Sequence, residues 1–150
     1  MCLSNAKIIS PNEDLVCYKV CLVADRKVFS PYQYFPLKIG KRLKAFYDID
    51  GVFSDEEISI NGHKFEGRKY QNIEEDLYLA EGGVFHSFVK KEDAFSHIQQ
   101  NFGKWAWRIY ECIIPKDSKL VLKGYFDSVN LYDSYGSSEI ILKEPVFENF

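Results

Sequence analysis

The chain has 150 residues, 46% of them hydrophobic, and a formal net charge of −3, values that fit one globular domain over residues 1–150. The acidic balance excludes a general attraction to nucleic acid or to an anionic membrane, and no apolar run approaches the roughly 18 residues of a membrane span. The first residues lack the basic and apolar segments of a signal peptide, so we expect a cytoplasmic protein whose four cysteines are reduced.

The first half of the sequence predicts strands and one hairpin. Residues 15–23 are rich in β-formers and contain no breaker, which predicts a central strand buried on both faces. Shorter strands are predicted near residues 28–30 and over residues 43–47. Asn61 and Gly62, flanked by alternating residues, predict a hairpin because a type I′ turn needs positive φ at both central positions.

The second half of the sequence contains the one principal helix, predicted over residues 91–102. Its apolar residues repeat at helical spacing, and His97 lies off that stripe, so we expect its imidazole to face solvent. A polar loop is predicted over residues 125–136, and strands are predicted over residues 84–88, 105–114, 119–123 and 138–143. This order lacks regular βα alternation and predicts an α+β fold with a mainly antiparallel or mixed sheet of about seven strands.

An acidic segment, residues 48–57, partly matches the calcium loop of EF-hand proteins. Asp48, Asp50 and Glu57 fall on ligand positions of that loop. Phe46 stands where the first carboxylate is required, and the flanking residues exclude the two helices that hold such a loop. We therefore predict a solvated acidic turn, and we predict neither a metal site nor a cofactor for the chain.

A basic cluster precedes this segment and contains Lys38, Lys41, Arg42 and Lys44, with several aromatic residues nearby. Cations beside stacking rings are typical of proteins that bind single-stranded nucleic acid. The favoured interpretation is the charged outer face of an edge strand, where lysines discourage pairing with another molecule. Nucleic-acid binding through this cluster remains an alternative.

The most notable histidine is His86, which lies between apolar neighbours in a predicted strand. Val84, His86 and Phe88 share one face of that strand, while Phe85 and Ser87 share the other. Such a histidine is either a core residue with a satisfied hydrogen bond or a residue that lines a cleft.

Four short motifs resemble a group of small uncharacterised proteins from phages and bacteria, which has no assigned activity. The motifs are Tyr18-Lys19-Val20, Lys38-Ile39-Gly40-Lys41, the Gly-x-Phe-His-x-Phe pattern from Gly83 to Phe88 with Asp93-Ala94, and segments between Ile114 and Leu142.

A second pattern is similar to the mono-ADP-ribosyltransferase fold. Those enzymes have an opening strand with Arg or His, then a serine-bearing strand followed by a helix, and a closing strand with a catalytic glutamate. Here Tyr18 or Lys19, then His86 and Ser87, and finally Glu139 stand at these places. The resemblance implies NAD binding, with Glu139 stabilising the cation that develops as nicotinamide leaves.

The sequence therefore favours a binding module without catalysis, whose partner is a small molecule or a protein. The predicted ligand-binding residues are Tyr18, Lys19, His86 and Ser87. The competing hypothesis is a divergent ADP-ribosyltransferase-like enzyme with Glu139 and His86 as catalytic residues.

Overall fold

In a computed structural model, the chain forms one long helix and many short strands. The structure describes residues 3–24, 26–30, 36–46, 53–60, 63–70, 77–79, 85–101, 107–126 and 130–147. The helix α1 spans Lys91–Asn101, close to its predicted range. The strands are β1 (Ser4–Ile8), β2 (Leu15–Ala24), β3 (Lys27–Phe29), β4 (Pro36–Leu37), β5 (Arg42–Phe46), β6 (Phe53–Ile60), β7 (His63–Tyr70), β8 (Leu77–Leu79), β9 (Phe85–Phe88), β10 (Trp107–Ile114), β11 (Val121–Phe126), β12 (Tyr132–Ser137) and β13 (Glu139–Val146).

The main sheet has the strand order β1-β11-β12-β9-β2-β10-β13-β5-β8, and β3 and β4 extend it beside β2. Its pairs are antiparallel except for β5 with β8. This architecture confirms the α+β class and the mainly antiparallel or mixed sheet. The thirteen strands of the described ranges exceed the predicted number of about seven, because polar segments such as β1 and β12 become strands only through pairing with distant neighbours.

The main sheet curves until its two halves meet. Strands β12 and β13 lie far apart in the strand order, yet Ser138 alone separates them in the chain. The Ser138 amide donates to the carbonyl of Leu120 beside β11, and its carbonyl accepts from the amide of Ala45 in β5. One hydrophobic cluster accordingly joins Val121 of β11 to Leu43 of β5. We call the face that holds this cluster the concave face.

The opposite face of the sheet carries the helix and is called the helix face. Ala94 of α1 packs there with Val20, Phe88 and Ile109. Alternation along β2 therefore places Cys17, Lys19 and Cys21 on the concave face, with Val20 on the helix face. The prediction of a central strand buried on both faces is confirmed, since β2 pairs with β3, β9 and β10.

Three sequence predictions need correction. The predicted polar loop at 125–136 contains the end of β11 and most of β12, because the neighbouring strands β11 and β9 supply partners for its backbone groups. His97 is buried, with 5% exposure, since Phe88 and Phe126 cover its ring. The last part of the acidic segment 48–57, which was predicted to be a solvated turn, belongs to β6, because β7 supplies partners for its backbone groups.

The predicted hairpin is confirmed by its strands, since Ile60 pairs with His63 across a two-residue connection. The turn residues Asn61 and Gly62 lie outside the described residues, as do Asp48 and Asp50 of the acidic segment. Three cysteines, Cys17, Cys21 and Cys112, are buried free thiols as expected.

Candidate functional site

Polar side chains form one continuous row across the concave face. Strand pairing places Lys7 opposite Lys123, Lys123 opposite Tyr135, and Tyr135 opposite Ser87. Because Tyr18 pairs with Phe88 in antiparallel register, the next step places Lys19 opposite Ser87. Directly opposite residues share a face of the sheet. A row of lysine, tyrosine and serine side chains, which we call the cross-strand row, therefore runs from β1 to β2.

The outer end of the cross-strand row opens into a groove with a volume of about 610 Å³. Pockets for small molecules typically have volumes of about 300–1,000 Å³. The groove is formed by β1, β11 and β12 and the residue after β1; its lining consists of Asn5, Ala6, Lys7, Ile9, Lys123, Gly124, Tyr125 and Asp133. It therefore combines two ammonium groups with a carboxylate, an aromatic ring and an aliphatic side chain.

The two groove lysines repel one another. Lys7 and Lys123 are direct cross-strand partners, and like charges in that position destabilise a sheet by about 0.2–1 kcal/mol. Asp133 is a carboxylate in the same groove, and it also lies 3.9 Å from the Lys90 ammonium. An anion between the two lysines would relieve their repulsion.

The backbone of β1 gives the groove its shape. The register between β1 and β11 shifts between Ser4 and Lys7, and Asn5 in this bulge has a positive φ of 52°, which asparagine tolerates better than most residues. A Cβ atom on Gly124 would lie 2.8 Å from the Ser4 carbonyl oxygen. Glycine is therefore required for the close approach of β1 to β11.

The inner end of the cross-strand row contains the buried amine of Lys19, which is 5% exposed. Its Nζ donates to the backbone carbonyl of His86 at 2.8 Å and lies 5.9 Å from the centre of the Phe85 ring. No carboxylate pairs with this amine among the residues that the structure describes. Burial accordingly lowers the pKa of Lys19 below its ordinary value of 10.5.

Two serine hydroxyls on the same face as this amine have no hydrogen-bond partner among the described residues. The Oγ atoms of Ser87 and Ser137 are buried and unsatisfied, and both residues are fully buried. A buried hydroxyl without a partner costs about 1–3 kcal/mol, so native proteins rarely retain one without a reason. Ser87 is opposite Lys19 in the row, and both hydroxyls can accept or donate a hydrogen bond.

On the helix face, His86 belongs to an aromatic cluster. Its Nε2 lies 3.0 Å from the Ser134 hydroxyl, whose own proton goes to the carbonyl of Tyr132. Nε2 therefore carries the hydrogen and donates it. The His86 ring contacts Phe88 and Phe126, with ring centres at 4.7 and 4.5 Å.

The imidazole of His86 is neutral in the folded chain at ordinary pH. Burial is the main cause that lowers the pKa of His86 well below 6.5. The unfolded chain takes up a proton near pH 6.5, whereas the folded chain does so only at a lower pH. Stability should therefore fall as the pH decreases below 6.5, as far as the folded-state pKa.

His86→Gln tests this prediction, because glutamine does not titrate and retains a donor for Ser134. Urea unfolding from about pH 7 to about pH 5 should show the wild type losing up to about 1.4 kcal/mol per pH unit relative to the variant. Contributions from titrating groups that do not interact with His86 cancel in this difference. If the free energy of unfolding depends on pH in the same way in both proteins, the lowered pKa of His86 is contradicted.

Glu139 lies in a separate network at the β5 and β13 edge. Arg42 donates to it through Nε at 3.0 Å and through Nη2 at 3.2 Å, and the same Nη2 contacts Asp117 at 2.8 Å. These hydrogen bonds, with that to Glu139 the largest cause, raise the pKa of Arg42. The carboxylate of Glu139 is therefore held by a bidentate ion pair.

The site residues that were predicted from the sequence lie in three different places in the structure. Lys19 and Ser87 are neighbours on the concave face, whereas Tyr18 and His86 lie on the helix face. Glu139 belongs to the Arg42 network, apart from the Ser134 hydrogen bond of His86.

In the predicted basic cluster, Lys38, Lys41 and Lys44 are exposed. Arg42 is engaged by Glu139 and Asp117.

Sequence reasoning missed the groove residues Lys7, Lys123 and Tyr125 and the row residue Tyr135. Lys123 and Tyr125 alternate with Leu122 and Gly124 in a strand-like pattern, which was a usable signal for a shared face. Lys7 gave no such signal, because its role depends on the pairing of β1 with β11.

No group of three or more metal-binding side chains lies together in the described part of the chain. Within the same part, no helix is long and apolar enough to cross a membrane. No protein-family model, curated protein or solved structure matches this chain.

Proposed function

We propose that this protein is a binding module that holds a small organic anion in the concave-face groove. The observation that carries the proposal is the direct opposition of Lys7 and Lys123 within a groove of about 610 Å³. Each ammonium group has three donors and no acceptor capacity, so the pair is suited to the oxygens of one phosphate or carboxylate.

The remaining walls favour a ligand that is more than an inorganic ion. Tyr125 is 37% exposed and offers part of its ring to the groove, and Ile9 adds an apolar surface. Asp133 adds a hydrogen-bond acceptor that a hydroxyl or an amine of the ligand can satisfy. A phosphate attached to a ring with hydroxyl groups matches this combination.

Thermal unfolding with adenosine monophosphate as the probe tests the proposal. Its phosphate should raise the Tm of the wild type at millimolar concentration, because a ligand that binds only the folded state stabilises it. Adenosine and sodium chloride at matched ionic strength should have little effect. Lys7→Gln and Lys123→Gln should each weaken binding about tenfold or more, as expected for loss of a hydrogen bond to a charged group.

Two features make these variants informative. In buffer without the probe, either substitution should leave the Tm unchanged or raise it, because the repulsion between the lysines is removed. Lys143→Gln is the matched control, since Lys143 is exposed and lies on β13, away from the groove. A wild-type response equal to that in sodium chloride, or an equal response in all variants, would contradict the proposal.

The enzymatic alternative receives less support from the geometry. The carboxylate of Glu139, which would stabilise a developing cation, is already paired with Arg42 through both oxygens, and Lys19 and Ser87 lie on a different face of the sheet from His86. The nucleic-acid alternative relies on Lys38, Lys41 and Lys44, since the Arg42 guanidinium is committed to two carboxylates.

A further inference from the structure

We infer that the amine of Lys19 is a covalent capture site that forms an imine with a small aldehyde or 2-oxo acid. This inference does not depend on anion binding by Lys7 and Lys123. It concerns the inner end of the cross-strand row, where the amine and the unsatisfied hydroxyls lie.

The surroundings of Lys19 are those of a nucleophile rather than of an ion pair. The Nζ atom has one hydrogen-bond partner, the carbonyl oxygen of His86 at 2.8 Å. That acceptor requires only one N–H, so it is satisfied by a neutral amine as well as by an ammonium. Desolvation of the residue favours the neutral form, which alone has the lone pair that attacks a carbonyl carbon.

The hydroxyl of Ser87 is placed to donate a hydrogen bond to the oxygen of a carbonyl compound that reacts with Lys19. Ser87 is opposite Lys19 on the concave face, and its Oγ has no partner among the residues that the structure describes. Neighbouring strands are separated by about 4.8 Å, so a molecule bonded to the amine can present its oxygen to this hydroxyl. The buried Ser137 hydroxyl is two residues further along β12 from Tyr135.

The groove lies on the same face of the sheet as this site, at the other end of the cross-strand row. Asp133 lines the groove and belongs to β12, the strand that pairs with β9 and therefore with Ser87. Tyr135 stands between the groove lysine Lys123 and Ser87 in the row. Tyr135 is 9% exposed, so a reagent that reaches Lys19 from the groove has to displace this ring, and the inference is therefore limited to compact carbonyl compounds.

The reaction balances without an added oxidant or reductant. The nitrogen lone pair of the neutral Lys19 amine attacks the carbonyl carbon, and one N–H proton passes from that nitrogen to the carbonyl oxygen to give a carbinolamine. The second N–H proton goes to the same oxygen in the next step. The carbon–oxygen bond then breaks, the oxygen leaves as water, and a carbon–nitrogen double bond forms. Ser87 donates a hydrogen bond to the departing oxygen, so its predicted effect is on the rate of formation.

Reductive trapping tests the inference on the wild-type chain. The protein is incubated with glyoxylate or with acetaldehyde at neutral pH, sodium cyanoborohydride is added, and peptides are mapped by mass spectrometry. The adduct should form at Lys19 at least tenfold faster than at exposed lysines such as Lys143, because the ordinary lysine pKa near 10.4 leaves those amines protonated. A preference for glyoxylate over acetaldehyde would identify a 2-oxo acid as the ligand class.

Ser87→Ala separates a chemical role from a structural one. Because the Ser87 hydroxyl makes no hydrogen bond with the residues that the structure describes, its removal should not lower stability. The variant should nevertheless trap the carbonyl compound several-fold more slowly, with unchanged labelling of Lys143. Labelling of Lys19 no faster than that of the exposed lysines in the folded wild type would overturn the inference, as would an equal rate in Ser87→Ala.

Discussion

Lys19→Met should gain stability relative to the wild type as the pH is lowered, with a slope of up to about 1.4 kcal/mol per pH unit. The slope arises because burial lowers the pKa of Lys19 in the folded chain, whereas the unfolded chain keeps the ordinary value of 10.5. Between these two values, the unfolded wild type binds one more proton than the folded wild type. Its stability therefore rises with pH over that window and falls as the pH decreases.

Methionine is the appropriate replacement because it is unbranched and fits a space shaped for the lysine stem. It does not titrate, so the difference between the two proteins isolates the Lys19 contribution. This matters because burial also raises the pKa of Cys21 to about 12 and raises that of Cys112. Those thiols change the stability of both proteins in alkaline solution, and their effect cancels in the difference.

The measurement is urea unfolding of both proteins from about pH 6 to about pH 9, with the free energy extrapolated to water. The control is Lys143→Met at an exposed position. Its free energy of unfolding should differ from that of the wild type by the same amount at every pH. A flat difference for Lys19→Met would show that its amine is protonated in the folded chain throughout this range. It would also remove the neutral nucleophile on which imine formation depends.

Phe88→Ala should destabilise the chain by about 3–5 kcal/mol, as for other large aromatic side chains removed from a core. Phe88 is 1% exposed and contacts the rings of His86, His97, Phe126 and Tyr132. Since the free energy of unfolding of a domain is about 5–15 kcal/mol, this single change removes a large share of the stability of the chain.

The size of this effect follows from the position of Phe88 rather than from its chemical type. Phe147 is 68% exposed, so Phe147→Ala should change stability by less than about 0.5 kcal/mol. Both variants are compared with the wild type by urea unfolding at neutral pH. Equal losses in the two variants would contradict the packing of α1 against β9 and β12 through this ring.

Much of the fold was predictable where a segment was long and its pattern strong. The breaker-free run over 15–23 identified the central strand, and the apolar stripe over 91–102 identified the helix. The alternation in residues 105–114 also assigned Ile109 and Cys112 to opposite faces, as observed. Segments 4–8 and 132–137 were not recognised, because their polar residues form strands through pairing with neighbours that are distant in the chain.

The candidate site was predictable only in part. The resemblance to the mono-ADP-ribosyltransferase fold drew attention to Lys19 and Ser87. The same resemblance also suggested Tyr18 and His86. Their side chains lie on the other face, because successive residues of a strand point to opposite faces. Lys7 and Lys123 are 116 positions apart in the sequence, so no local pattern could bring them together.

The sequence by itself determined which residues alternate, where the long helix and central strand lie, and that Lys19 is placed among apolar neighbours. Tertiary structure decided which strands pair, and hence that two lysines oppose one another and that an amine shares a face with two unsatisfied hydroxyls. The physical reason is that alternation is a property of local backbone geometry, whereas register depends on burying side chains from distant segments in one core.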